Sequence, residues 1–228
     1  MSQLQGKRIV VTGAFGALGG AVVEAASAAG ARVAAVDRSA EAPPALAAAG
    51  VYGGVDLGDA AAAAAVFERI GAEVGGIDAL VNVAGTFRWE TVEAGSLDTW
   101  DLLYAVNLRT AVAASRAALP LLGGGGRIVN IGAAAAARAG AGMGAYAASK
   151  AGVARLTEAL AEELKDRAIT VNAVLPSIID TAQNRADMPD ADFARWVAPA
   201  DLAAVIVFLL SDAARAITGA SIPVTGRV

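Results

Sequence analysis

The chain has 228 residues, a formal net charge of −4, no Cys and no His. Its length suits one α/β domain, and an acidic balance with no Lys/Arg run argues against a nucleic-acid or anionic-membrane surface. Without Cys there is no disulfide or thiolate site. Without His the commonest proton shuttle and metal ligand is missing, so acid–base work near neutral pH needs another side chain with a shifted pKa.

The opening MSQLQGKRIVVTG has too short an apolar run for a signal peptide. RIVV (8–11) reads as the first strand, and the Gly-rich VVTGAFGALGG leads from it into a helix over 17–29. RVAAV (32–36) is a second strand, APPA (42–45) a loop or helix start, and a weaker strand is expected near Val51–Val55. A helix over 59–74 precedes the strand ALVNV (79–83), and a helix over 98–119 precedes GGGG (123–126), which reads as a turn before RIVNI (127–131). A helix over 143–166, the strand ITVNAV (169–174), a helix over 199–211 and the strand SIPV (221–224) complete the chain. LAAVIVFLL (202–210) is far shorter than the ~20 residues of a membrane span, so a soluble, cytoplasmic protein is expected. The strands are mostly continuous apolar runs, as in sheets covered on both faces, and the β-α alternation implies a parallel sheet between two helix layers. No domain boundary is evident, so residues 1–228 are expected to form one domain.

Gly13, Gly16 and Gly19 follow the first strand and open the first helix. Such a loop lets backbone approach a pyrophosphate at a helix N-terminus, where free N–H groups favour anions. The strict spacing would place the middle Gly at 17, where this chain has Ala17. Asp37 ends the second strand, where a carboxylate can bind the adenosine ribose hydroxyls and repel a 2′-phosphate. That favours NAD(H), while Arg38 next door is the residue that would admit NADP(H).

Tyr146 and Lys150 lie four residues apart and share a helix face. A nearby ammonium stabilises a phenolate, which would lower the Tyr146 pKa, and the phenol could give a proton as a cofactor gives hydride.

Together TGAFGALG (12–19), Asp37, DL (56–57), NVAG (82–85), VN (106–107), YAASK (146–150), LPSIIDT (175–181) and ITGASIPV (217–224) make the chain resemble the short-chain dehydrogenase/reductases over nearly its whole length. The resemblance implies a single doubly wound Rossmann domain of about seven strands, in the order 3-2-1-4-5-6-7. It implies Tyr146, Lys150 and Asn107 as the catalytic set, with Asn107 binding a water in a proton relay from Lys150. It implies cofactor contacts from Gly13, Phe15, Gly16, Ala17, Leu18, Gly19, Asp37, Arg38, Asp56, Leu57, Asn82, Ala84, Gly85, Lys150, Pro176, Ile179 and Thr181. A homodimer or homotetramer acting on a small molecule is implied too, with no metal.

This sequence departs from the family pattern at Val83, at Ser177 and above all at Ala133, where the family usually has its catalytic Ser. The segment 175–196, with GALG (16–19) and GM (142–143), resembles the dihydropteridine reductase branch, which also lacks that Ser and prefers NADH. A quinonoid dihydropterin is already an electron-poor imine and needs less polarisation than a ketone. The alternatives are an ordinary carbonyl/alcohol oxidoreductase in which Ser149, Ser177 or Thr86 supplies the hydroxyl, and a non-catalytic NAD(H) sensor. Substrate contacts are expected from Phe87, Trp89, Ala133, Tyr146 and Trp196, with Phe193 beside the last. Residues 181–199, which include Arg185 and Arg195, read as a short lid over the cofactor.

Overall fold

Seven parallel strands are arranged in the order β3-β2-β1-β4-β5-β6-β7. They are β1 (Arg8–Thr12), β2 (Arg32–Val36), β3 (Gly50–Tyr52), β4 (Ile77–Asn82), β5 (Leu122–Ile131), β6 (Thr170–Pro176) and β7 (Ser221–Val224). The helices are α1 (Ala17–Ala28), α2 (Ala60–Val74), α3 (Leu97–Leu103), α4 (Thr110–Ala118), α5 (Gly144–Leu164), α6 (Ala182–Asp187) and α7 (Pro199–Leu210). This is a computed structural model that describes residues 3–228, so the first two residues of the N-terminal stretch lie outside it.

Alternate residues of each central strand feed opposite cores, which explains why the strands are continuously apolar. Ile9 and Val11, Ala79 and Val81, and Val129 pack with α1 and α7. Val10, Leu80 and Ile128 pack with α2, α4 and α5 on the other face. Fully burying a Val, Leu or Ile side chain contributes about 1.5–3 kcal/mol, so the apolar burial on each face is large.

The structure corrects three elements. GGGG (123–126) is not a turn but part of β5, which begins at Leu122 opposite Ile77 and shifts register before Ala79 pairs with Arg127. The helix over 98–119 is interrupted by a π-helical turn, Tyr104–Arg109, between α3 and α4. The region after Thr181 holds the short α6, capped by the Thr181 hydroxyl accepting from the Asn184 N–H at 3.2 Å. No helix among the described residues is long and apolar enough to cross a membrane.

Candidate active site

The strand order reverses direction between β1 and β4, and in open α/β sheets the crevice at the carboxyl ends of such a pair takes ligands. Here a cleft of about 540 Å³ opens at that point. Gly13 follows β1 in the left-handed region, φ +62°, and a Cβ there would stand 2.7 Å from the Ala84 nitrogen. A Cβ on Gly19 would collide with the Gly13 carbonyl oxygen. The two loops and the first turn of α1 therefore close up only because both residues are glycine. Gly16 caps α1 without a side-chain bond, which leaves the first helical N–H groups facing the cleft. Ala17 takes the first helical position and lines the cleft beside Gly16. The Thr12 hydroxyl ties β1 to β4 by accepting from the Val83 and Ala84 N–H groups at 3.1 and 3.3 Å.

Phe15, Leu18, Asp37, Arg38, Asp56, Leu57, Gly85 and Thr181 also line the cleft. The Asp37 carboxylate accepts from the Phe15 and Ser39 N–H groups, both at 2.9 Å, which fixes it at the rim. Arg38 is exposed beside it. Thr86, expected only as an alternative hydroxyl donor, lines the same cleft, as do Arg88, Leu102, Val106 and Thr110, which sequence reading missed. Leu102, Val106 and Thr110 recur at four-residue spacing along one helical face, and that spacing was the available signal.

Tyr146, Lys150 and Asn107 come together behind the end of β4. Lys150 is only 4% exposed, and its ammonium donates to the Ile131 carbonyl at the end of β5, 2.8 Å away. A Cβ on Gly85 would lie 3.1 Å from Asn107 Oδ1 and 3.3 Å from Lys150 Nζ. Asn107 sits in the π-helical turn, where irregular helix often marks a functional position. Its Oδ1 accepts from the Thr86 N–H at 2.7 Å, and its Nδ2 donates to Ser149 Oγ at 3.0 Å. The side-chain amide is therefore occupied in positioning the β4 loop and α5.

Comparison with known proteins completes this picture. A family model described as enoyl-(acyl carrier protein) reductase matches residues 13–226. D-threitol dehydrogenase of Mycolicibacterium smegmatis is 38% identical over 98% of this chain and 93% of its own length. 3-Oxoacyl-(acyl-carrier-protein) reductase FabG of Pseudomonas aeruginosa is 36% identical over 98% of this chain and 97% of its own. The chain belongs to the short-chain dehydrogenase/reductase family. Among solved structures, a short-chain dehydrogenase of Burkholderia cenocepacia in complex with NADP superposes with a TM-score of 0.89, at 36% identity over 98% of both chains. A Serratia marcescens short-chain dehydrogenase/reductase superposes with a TM-score of 0.90, at 33% identity over 98% of both. Membership makes the chain an oxidoreductase of the nicotinamide-dependent type. The Gly13–Gly19 cradle and the open N-terminus of α1 fit a dinucleotide's pyrophosphate.

Several expectations for a short-chain dehydrogenase/reductase need correcting. Burial pushes the Tyr146 phenol up to about 12, opposite to the lowering expected from Lys150. Burial also pushes the Lys150 ammonium down to about 8. Desolvation outweighs any mutual charge effect, and the Tyr146 phenol is held neutral. Asn82 does not line the cleft. Its Nδ2 donates to Ser115 Oγ at 3.1 Å and Asn130 Oδ1 at 2.8 Å, in a buried polar network beneath the β4 loop. Pro176 is buried at the end of β6, and Ile179 forms an isolated parallel bridge with Val197. Trp196 is only 8% exposed and packs on Phe193 with centroids 4.8 Å apart, which anchors the 181–199 segment. Arg185 pairs with Asp180 at 2.6 Å and lies over the Phe193 ring, while Arg195 Nε donates to the Arg227 carbonyl. Phe87 does meet the Tyr146 ring, edge-on at 4.9 Å.

Ala133 is buried just past the end of β5, two residues beyond the carbonyl that holds Lys150. The two serines that could replace the hydroxyl missing there both have backbone partners. Ser149 Oγ donates back to the Tyr146 carbonyl at 2.7 Å, and Ser177 Oγ donates to the Thr225 carbonyl at 2.8 Å.

Proposed function

We propose that this short-chain dehydrogenase/reductase is an NADH-preferring reductase of an activated C=N or C=O acceptor, a quinonoid dihydropterin or a quinone in the manner of dihydropteridine reductase. Bound in the cleft, a reduced nicotinamide would supply hydride. Lys150 would hold the nicotinamide ribose and Tyr146 would give the proton, while Asn107 keeps the β4 loop and α5 in register. The observation that carries the reading is Ala133, with Ser149 and Ser177 both committed elsewhere. Losing one oxyanion donor costs about 100–1000-fold where charge concentrates on one oxygen, and far less where conjugation spreads it. Asp37, fixed at the rim, supports NADH, since its charge opposes a 2′-phosphate. The 181–199 segment acts as a lid hinged at Thr181 and anchored by Trp196. Assembly as a homodimer or homotetramer is part of the same reading.

The test is a panel of acceptors with NADH and NADPH: quinonoid dihydropterin, quinones, simple ketones and polyol-derived ketones. Turnover confined to ketones would overturn the reading.

A second reading is supported by Thr86, which lines the cleft beside Gly85. Its hydroxyl could polarise an ordinary carbonyl, as suits relatives that oxidise threitol or reduce an oxoacyl thioester. Loss of ketone activity in Thr86→Val would favour it.

A further inference from the structure

The chain has only five Phe, three Tyr and three Trp. Of these, Phe87, Trp89 and Trp100 all pack on the short segment 142–146 that ends in Tyr146. Phe87 meets the Tyr146 ring at 4.9 Å with planes at 85°. The Trp89 indole occupies the place a side chain at Gly142 would take, and the Glu90 N–H donates to the Gly142 carbonyl at 2.9 Å. Gly142 has φ +73°, so both its backbone and its neighbour require glycine. The Trp100 ring would lie 3.5 Å from a Cβ on Gly144. The loop after β4 is thus pinned to the segment that delivers Tyr146.

Yet Phe87 remains 44% exposed and Trp89 62% exposed, whereas Phe67 is fully buried and Trp196 nearly so. Exposed rings held rigidly beside a reactive group are a binding surface whose rotamer freedom is already spent.

We propose that Phe87 and Trp89 form a stacking platform for the acceptor, and that the acceptor is a planar conjugated ring. The inference rests on Tyr146 as the proton donor. A flat ring laid on Phe87 is delivered next to the phenol that Phe87 touches. Flat apolar rings offer little to a polyol, which needs hydrogen bonds, or to a flexible acyl chain, which loses rotamer entropy when ordered. The platform therefore selects against the substrate classes of the relatives named above and explains how a site without the Ser hydroxyl keeps specificity.

The experiment is calorimetric titration with oxidised pterin, which is planar and not turned over, of the unmodified protein, Phe87→Leu, Trp89→Leu and Gly142→Ala. NADH affinity, thermal melts and light scattering run alongside. Each variant should weaken pterin binding about tenfold and leave NADH affinity within about twofold. Pterin affinity unchanged in both Phe87→Leu and Trp89→Leu, or no pterin binding by the unmodified protein, would overturn the platform. So would a changed oligomeric state with unchanged pterin affinity, which would assign the rings to a subunit contact. If pterin affinity depends on both rings while no activated acceptor is turned over, the platform stands and the proposed activity fails. Turnover of activated acceptors with pterin affinity indifferent to both rings is the reverse case.

Discussion

Lys150 is a buried cation with one hydrogen bond and no carboxylate partner among the described residues. Its pKa falls from 10.5 to about 8 through desolvation, and each unit is worth about 1.4 kcal/mol, so keeping it charged costs the fold about 3 kcal/mol at pH 7. Lys150→Met removes that cost and forfeits the bond to the Ile131 carbonyl, worth about 1 kcal/mol. The variant should be about 2 kcal/mol more stable at pH 7, and it should be inactive. Linkage gives a second signature. Between pH 8 and 10.5 the unfolded chain holds the Lys150 proton while the folded chain has released it, so the unmodified protein gains stability as pH rises through that window. Below pH 8 the cost is present in full. Tyr146 and Tyr52 act oppositely: both are raised to about 12, so stability falls as pH climbs from 10 towards 12. Urea unfolding at pH 7, 9 and 10 measures the Lys150 effect, and a further point near pH 11.5 measures the tyrosine effect. A Lys150→Met protein less stable at pH 7, or an unmodified protein with no stability gain between pH 8 and 10, would refute the reasoning.

Tyr146→Phe should cut turnover about 100–10,000-fold and leave NADH affinity nearly unchanged; a loss under about tenfold in steady-state assays would exclude Tyr146 as proton donor. Because Tyr146 stays protonated to about 12, reduction should show no phenol ionisation between pH 7 and 10. Asp37→Ser should narrow the NADH preference over NADPH and loosen NADH binding, since the Phe15 and Ser39 N–H groups lose their acceptor; equal affinity of the unmodified protein for both cofactors would make Arg38 the deciding residue. Gly19→Ala should abolish NADH binding by calorimetry, because its Cβ meets the Gly13 carbonyl. Ala133→Ser should raise kcat/KM for simple ketones by up to about 100–1000-fold and alter that for quinonoid acceptors little. Strong ketone reduction by the unmodified protein, insensitive to this change, would instead place another hydroxyl in the role.

The sheet was legible because strands buried on both faces leave unmixed apolar runs, as in RVAAV and RIVNI. GGGG misled because glycine carries no side-chain pattern, and only the pairing of Leu122 with Ile77 makes those residues strand. The π-helical turn at Tyr104–Arg109 was invisible because no local residue rule distinguishes one extra residue per turn from a regular helix. Helix α6 was missed because Thr181 was read only as a cofactor contact, although the same Thr is a good N-cap. The site's glycines were legible as a pattern, but which of them are obligatory depends on contacts across the sheet, Gly13 to Ala84 and Gly19 to Gly13. Trp196 shows the opposite limit: an aromatic in a loop has no sequence mark that separates an anchor from a ligand contact.

The placement of Tyr146 depends on more than its own helix. Thr86 N–H bonds to Asn107, Asn107 bonds to Ser149, and Ser149 bonds back to the Tyr146 carbonyl, all within 3.0 Å. This path joins the β4 loop, the π-helical turn and α5, three segments distant in sequence, into one hydrogen-bonded unit. None of it passes through Ala133. The absent hydroxyl therefore leaves the position of Tyr146 undisturbed. A family site damaged by drift would be expected to lose both together, since nothing would maintain the Asn107 and Ser149 partnership once catalysis had gone. On the reading proposed above, positioning is retained and polarisation from position 133 is missing, the combination that suits an acceptor already activated by its own conjugation.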